Sequence, residues 1–234
     1  MKKLILLILF VPFISFGQTA EEYVFTALEK EKEELDFSGA KFDYSRAIEL
    51  DPNYFKAWNS RAVLKMRMED YYGAIADFTK AIELDPNHGG SKRGKALCKY
   101  RLGDDKGALT DFNEIIKLSS SKNAFDYLYR GRAKSGMEDD KGAIADYSKS
   151  IELDPNDSFV YFLRGCSLNL LDDYYSAIAD FSKAIELDSN YAVAYFQRGT
   201  AKAALGDLNG ACTDIKKAAN LGDLGASKLV ENCN

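Results

Sequence analysis

A basic residue and an aspartate sixteen positions further on recur as Arg61/Asp77, Lys95/Asp111, Arg130/Asp146, Arg164/Asp180 and Arg198/Asp214. A single such pair in a cleft could serve acid–base work, because a guanidinium beside a carboxylate holds it ionised. Five copies at a regular step point instead to a structural job, an ion pair within a unit or to the next one. The first unit has Ala27 opposite Asp43, so its pair is missing. Other chemistry finds little material. His88 is the single histidine, next to Gly89 and Gly90, and reads as an exposed turn residue. With no second histidine and no serine or cysteine motif near it, neither a Ser-His or Cys-His nucleophile nor a metal site has support. The expectation is a non-enzyme without cofactor or metal.

Four cysteines remain. Cys98 and Cys166 lie two units apart, too far to bridge, and read as small apolar residues. Cys212 takes the apolar phase held elsewhere by Ile75, Ile144 and Ile178, and Cys233 lies on the last helical stripe, which should pack there. This pair either bridges, as exported chains allow, or packs as two buried thiols.

These residues are positioned by a repeat. GAIADFTKAIELDPN at Gly73 returns as GAKFDYSRAIELDPN at Gly39, GAIADYSKSIELDPN at Gly142 and SAIADFSKAIELDSN at Ser176, with weaker copies at Gly107 and Gly210. One alanine runs through all six as Ala40, Ala74, Ala108, Ala143, Ala177 and Ala211, at steps of 34, 34, 35, 34 and 34. A fixed period of this size means a solenoid whose units bury their apolar faces against their neighbours. Within one unit Trp58, Ala62 and Lys65, then Ala74, Phe78, Ala81 and Ile82, fall at helical spacings. Asp36, Asp70, Asp104, Asp139, Asp173 and Asp207 share one phase, where an N-cap of each second helix is needed. Pro52, Pro86 and Pro155 share another, just past that helix. Glycine at its third position (Gly39, Gly73, Gly107, Gly142, Gly210) costs up to about 1 kcal/mol relative to alanine. Close approach of a neighbouring helix is the expected reason.

The first 17 residues, MKKLILLILFVPFISFG, combine two lysines, an apolar run and small residues at Ser15 and Gly17. They read as a secretory signal peptide cut after Gly17, since the run falls short of the roughly 20 residues a membrane span requires. The expected localisation is therefore exported, periplasmic or secreted, with no membrane insertion once the signal is removed. Thr19 and Glu22 have the spacing of a capping box, and Val24, Ala27 and Leu28 give the helix a narrow stripe. The run Glu29 to Glu34 reads as a solvated face that needs no partner. A formal charge of −5 argues against nucleic acid, which calls for a basic stripe.

The period and the residues Trp58, Ala62, Ala74, Phe78, Ala81 and Pro86, matched by Tyr161, Gly165, Ala177, Phe181, Ala184 and Ser189, resemble the tetratricopeptide repeat (TPR) family. The resemblance covers roughly residues 21 to 225. It implies an all-α fold: a right-handed α-α superhelical solenoid of six TPR helix pairs, at about 21–54, 55–88, 89–123, 124–157, 158–191 and 192–225, in a domain spanning 18–234. A covering helix over 226–234 carries Ala226, Leu229, Val230 and Cys233 as its stripe. The third repeat departs from the pattern, with Lys92 at the bulky position and one inserted residue between Ser119 and Asn123, and is expected to be looser.

In that family the first helices line a concave groove. The resemblance places Lys56, Asn59, Arg67, Arg93, Tyr100, Arg101, Phe125, Leu128, Arg132, Phe159, Phe162, Asn169 and Phe196 there, basic in the middle and aromatic toward the C-terminus. Exposed apolar positions rimmed by charge mark binding sites, although each phenylalanine can instead fill helix packing. The lysine and asparagine pattern with which some TPR domains grip a terminal carboxylate is absent. The leading expectation is a non-enzymatic exported scaffold binding a peptide or protein partner in this groove. The alternative is a structural or assembly component of the bacterial cell envelope, acting through the convex face or the ends.

Overall fold

The computed structural model describes residues 18–34, 36–118 and 122–233. The expected signal peptide and most of the inserted stretch lie outside the described residues. Of the thirteen α-helices among the described residues, twelve form six antiparallel pairs: α1 (Ala20–Glu29) with α2 (Phe37–Leu50), α3 (Phe55–Arg67) with α4 (Tyr71–Leu84), α5 (Gly89–Arg101) with α6 (Asp105–Leu118), α7 (Ala124–Gly136) with α8 (Asp140–Leu153), α9 (Ser158–Leu170) with α10 (Tyr174–Leu187), and α11 (Ala192–Ala204) with α12 (Leu208–Asn220). α13 (Leu224–Leu229) and a 3₁₀ turn (Val230–Cys233) close the end. Successive first helices touch, α1 with α3, α3 with α5, α5 with α7 and α9 with α11, which makes them the inner wall of the curve.

Each second helix begins in the same way. The aspartate side chain before it accepts from the N–H three residues on, at 2.9–3.0 Å for Gly39, Gly73, Gly107, Gly142 and Gly210. This cap, and not a neighbouring helix, explains the glycines. A Cβ there would stand 2.0–2.3 Å from the aspartate Oδ2. Ser176, which has a Cβ, keeps its cap only at 3.2 Å. The expected close helix approach occurs instead on the first helices, where a Cβ on Gly131 or Gly165 would meet Tyr147 or Phe181.

The buried face of each second helix is a small–large–small ladder: Ala40, Tyr44 and Ala47; Ala74, Phe78 and Ala81; Ala177, Phe181 and Ala184. Between the ladders run the sixteen-residue pairs, and they do more than the spacing indicates. Arg61, Arg130, Arg164 and Arg198 each grip the aspartate of their own repeat with two nitrogens, at 2.5–2.9 Å. A third nitrogen reaches back to the preceding repeat, to Ser45, Asn113, Ser148 and Ser182 respectively. The four aspartates are buried. Asp214 shows the balance: burial by itself would raise its carboxyl, but the bonds from Arg198 and Lys202 together hold it below the ordinary range. Its folded value is depressed, so its contribution to stability is present above the ordinary carboxylate range and is lost as pH falls through the folded value.

Two repeats differ from the expected pairing. Asp43 is not without a partner, because Lys30, one turn beyond Ala27, reaches it at 2.7 Å. Asp111 pairs with Lys99 at 2.7 Å and not with Lys95. Other expectations are corrected at the ends and turns. Glu31, in the charged run, accepts from the Tyr44 hydroxyl and pairs with Arg67, both at 2.5 Å. His88 is a half-buried N-cap, its Nδ1 accepting from Ser91 N–H at 3.0 Å and its ring 4.7 Å from Phe55. In the closing segment Ala226, Val230 and Cys233 pack against Ile215 and Ala218, while Leu229 faces water, as Leu28 does at the other end. Cys212 and Cys233 are joined, with Cα atoms 5.2 Å apart.

Two outcomes follow from this packing. Gly73→Ala alone should be close to neutral, because the helix gain of about 1 kcal/mol is offset by a disturbed cap. In an Asp70→Ala background the same change should stabilise by about 1 kcal/mol, which urea melts of the four proteins would show as non-additivity. Reducing the Cys212–Cys233 bond, which closes a 21-residue separation, should cost the last repeat about 3 kcal/mol. Hydrogen exchange should speed up in α12 and α13 and stay unchanged in α1 to α8.

Candidate functional site

The inner wall is not uniform. Arg93, expected in the basic middle of the groove, is taken: it forks onto Asp126 of the next first helix at 2.6 and 2.8 Å, and Asp126 is 1% exposed. The bond to Asp126 holds the guanidinium above its ordinary value. Asn59 accepts from the Ser91 hydroxyl at 2.8 Å. Phe125 packs 4.4 Å from Tyr129, Phe162 lies 5.0 Å from Tyr191 and 5.9 Å from Phe181, and Phe196 packs under the closing segment. These five residues build the array. Asn169 turns a buried Oδ1 inward without a hydrogen-bond partner among the described residues.

What stays available lies along the inner wall from α3 to α9. Lys56 and Arg101 are exposed, and among the described residues no carboxylate pairs with either. Arg67 is exposed on one side and anchored to Glu31 on the other, over the Phe37 ring at 4.7 Å. Arg132 is held without any carboxylate: its guanidinium lies over Tyr100 at 4.8 Å, Tyr129 at 5.2 Å and Phe159 at 5.4 Å. A cation on aromatic faces keeps its full charge for an incoming anion, since the rings supply only a quadrupole. Beside it opens a cleft of about 560 Å³ lined by Tyr100, Arg101, Arg132, Ser135, Tyr147 and Leu163, with one carboxylate, Asp105, against two guanidiniums. A second cleft of about 250 Å³ shares Arg101 and continues past Leu97 to Arg67 and Tyr71.

The two free cysteines are buried or half-buried. Burial pushes the Cys98 thiol up to about 11 and Cys166 up to about 12, far from a thiolate at neutral pH. Among the described residues no group of three or more His, Cys, Asp or Glu could hold a metal ion. No helix among them is long and apolar enough to cross a membrane. Arg101, Arg132 and Phe159, which the sequence places on the inner wall, lie near Tyr129, which it does not single out and whose signal is its place one turn before Arg132 and Ala133 on the same helix.

Comparison with known proteins agrees with this geometry. The tetratricopeptide repeat model matches residues 55–88, and a second model of that family matches 127–157 and 160–191. A search of curated protein sequences finds no match. Among solved structures, PilF of Pseudomonas aeruginosa superposes with a TM-score of 0.75 at 16% identity, covering 91% of this chain and 97% of that one. YrrB, described as a TPR protein with an unusual peptide-binding site, gives 0.67 at 21% identity over 81% and 97%. A tetratricopeptide repeat protein from Parabacteroides merdae gives 0.65 at 18% identity over 92% and 84%. The chain is a tetratricopeptide repeat protein, and TPR arrays are scaffolds that bind proteins or peptides.

The division between engaged and available arginines is measurable. Arg93→Ala should cost about 3–5 kcal/mol in a urea melt, because it leaves Asp126 buried and uncompensated. Arg101→Ala should stay within about 0.5 kcal/mol of the parent.

Proposed function

We propose that this protein is an exported scaffold that holds an extended acidic peptide segment of a partner protein along its inner wall. The carrying observation is Arg132, a guanidinium suspended on three rings beside a 560 Å³ cleft, with unpaired Arg101 on the same rim. An acidic side chain placed there gains charge-assisted bonds to both arginines, and its apolar neighbours meet Phe159 and Leu163. The exposed faces of the second helices offer less. Four of their cations are paired within a turn, Arg46 with Glu49, Lys80 with Glu83, Lys149 with Glu152 and Lys183 with Glu186. YrrB, of the same fold, is described as having a peptide-binding site, which supports the same use here.

Export, to the periplasm or beyond the cell, is the compartment we infer. It draws on the leader-like first 17 residues and on the Cys212–Cys233 bond, which persists in oxidising surroundings. A role as an assembly component of the cell envelope, through an end of the array, is favoured only by the exposed Phe25, Leu28 and Phe42 of the first repeat.

Panning a random peptide library against the folded chain tests the reading. Enriched peptides should carry Asp or Glu next to an aromatic or aliphatic residue. Arg101→Glu with Arg132→Glu should weaken them by at least about a hundredfold, two charge-assisted contacts of about 1.5–3 kcal/mol each being lost. Enrichment without acidic residues, or binding that survives both substitutions, would overturn it.

A further inference from the structure

The third repeat contains a vacant ring socket. In four other repeats the fourth residue of the first helix is aromatic and lies under the guanidinium three residues on: Trp58 under Arg61 at 5.0 Å, Tyr127 under Arg130 at 5.4 Å, Tyr161 under Arg164 at 5.8 Å and Tyr195 under Arg198 at 5.5 Å. The second helix adds another cation in the last repeat, Lys217 at 5.9 Å from Tyr195. In the third repeat the two positions hold Lys92 and Lys95. In place of a ring there is a cavity of about 70 Å³ lined by Ile82, Lys92, Lys95, Asp111, Glu114 and Ile115. These are the residues that would surround the ring. Ile115 stands at the position of Ala184, on which Tyr161 packs, and Lys95, Asp111 and Glu114 stand where Arg164, Asp180 and Lys183 do.

The wall's carboxylates face lysines, although the buried Asp111 Oδ2 makes no hydrogen bond among the described residues. Asp111 is held by Lys99 at 2.7 Å, and Lys92 leans toward Glu114 at 3.8 Å. Lys95 has no ion partner among the described residues, so one ammonium is left over the empty space. The volume is several times the roughly 10–15 Å³ that one water requires. Glu114 is 62% exposed and Lys92 is 23% exposed, so the mouth reaches solvent. Asp111 and Glu114 in the lining disfavour an acidic occupant. Two isoleucines and an unpaired ammonium favour a neutral aromatic ring, apolar at its edges and electron-rich on its face.

We propose that this cavity is a second binding site, away from the groove, that takes an aromatic side chain of a partner protein and so completes in trans the ring-and-cation unit that the other repeats make in cis. The proposal does not depend on the groove reading.

The test uses p-cresol, the tyrosine side chain, and the full chain with isoleucine methyl groups labelled for NMR. Saturable ring-current shifts are expected at Ile82 and Ile115 and not at Ile151 or Ile185. Cyclohexanol, of similar size without a π face, should bind about three- to tenfold more weakly. Lys95→Gln should remove that preference, and Lys92→Tyr, which fills the socket, should abolish both titrations while melting at or above the parent temperature. Absence of saturable shifts, equal binding of the two probes to the parent chain, or unchanged binding in folded Lys92→Tyr would each overturn the proposal.

Discussion

The array depends on a buried carboxylate gripped by an arginine of its own repeat that also reaches across the boundary to the repeat before. An aspartate placed on the hidden face of a helix is costly unless its lone pairs are filled, and a flat guanidinium fills them with two parallel bonds. Because the fork leaves a third nitrogen pointing backward, the same arginine also ties its repeat to the one before, as Arg164 does between Asp180 and Ser148. Register between repeats is thereby set by directional bonds as well as by apolar ladders. The alanines of those ladders let the helices approach, and the carboxylates fix which rotation they adopt.

That constraint also decides what is left over for function. Most basic side chains of the array are consumed internally: Lys65, Lys134 and Lys202 add a second cation to aspartates already gripped by arginine. On the outer faces lysine and glutamate pair within a turn. In the middle of the inner wall, where the third repeat abandons the common scheme, Arg101 and Arg132 are held by no carboxylate among the described residues. Arg93 takes over the boundary by reaching forward to Asp126, and the chain around it leaves Arg101 and Lys95 unpaired. The same irregularity thus produces the groove's basic centre and the empty socket on the other side of α5.

The fold was readable in the sequence because a solenoid repeats its own argument six times, so caps, ladders and turns could be checked against one another. The site was less readable, for a physical reason. Position in a repeat tells which way a side chain leaves its helix, but not whether a neighbouring repeat has already claimed it. Arg93 and Arg101 both leave toward the inner wall; Asp126, thirty-three residues from Arg93, binds one and leaves the other. Lys30 and Lys99 show the same limit, since a lysine stem is long enough to reach an aspartate from one turn away. The capping glycines were placed correctly and explained wrongly, because a carboxylate turned back on its own helix cannot be told from a close neighbour by spacing alone.

The central claim is that Arg67 and Arg93 are engaged within the array, that Arg101 and Arg132 are held by no carboxylate among the described residues, and that ligand follows those two arginines. Hydrogen exchange on the chain with a bound peptide selected from a random library measures this directly. Protection concentrated in the last turns of α5 and α7 and the first turn of α9, with the second helices unchanged, is the pattern this account predicts. Protection centred on α4, α8 and α10, with α5 and α7 exchanging as in the free chain, would contradict it.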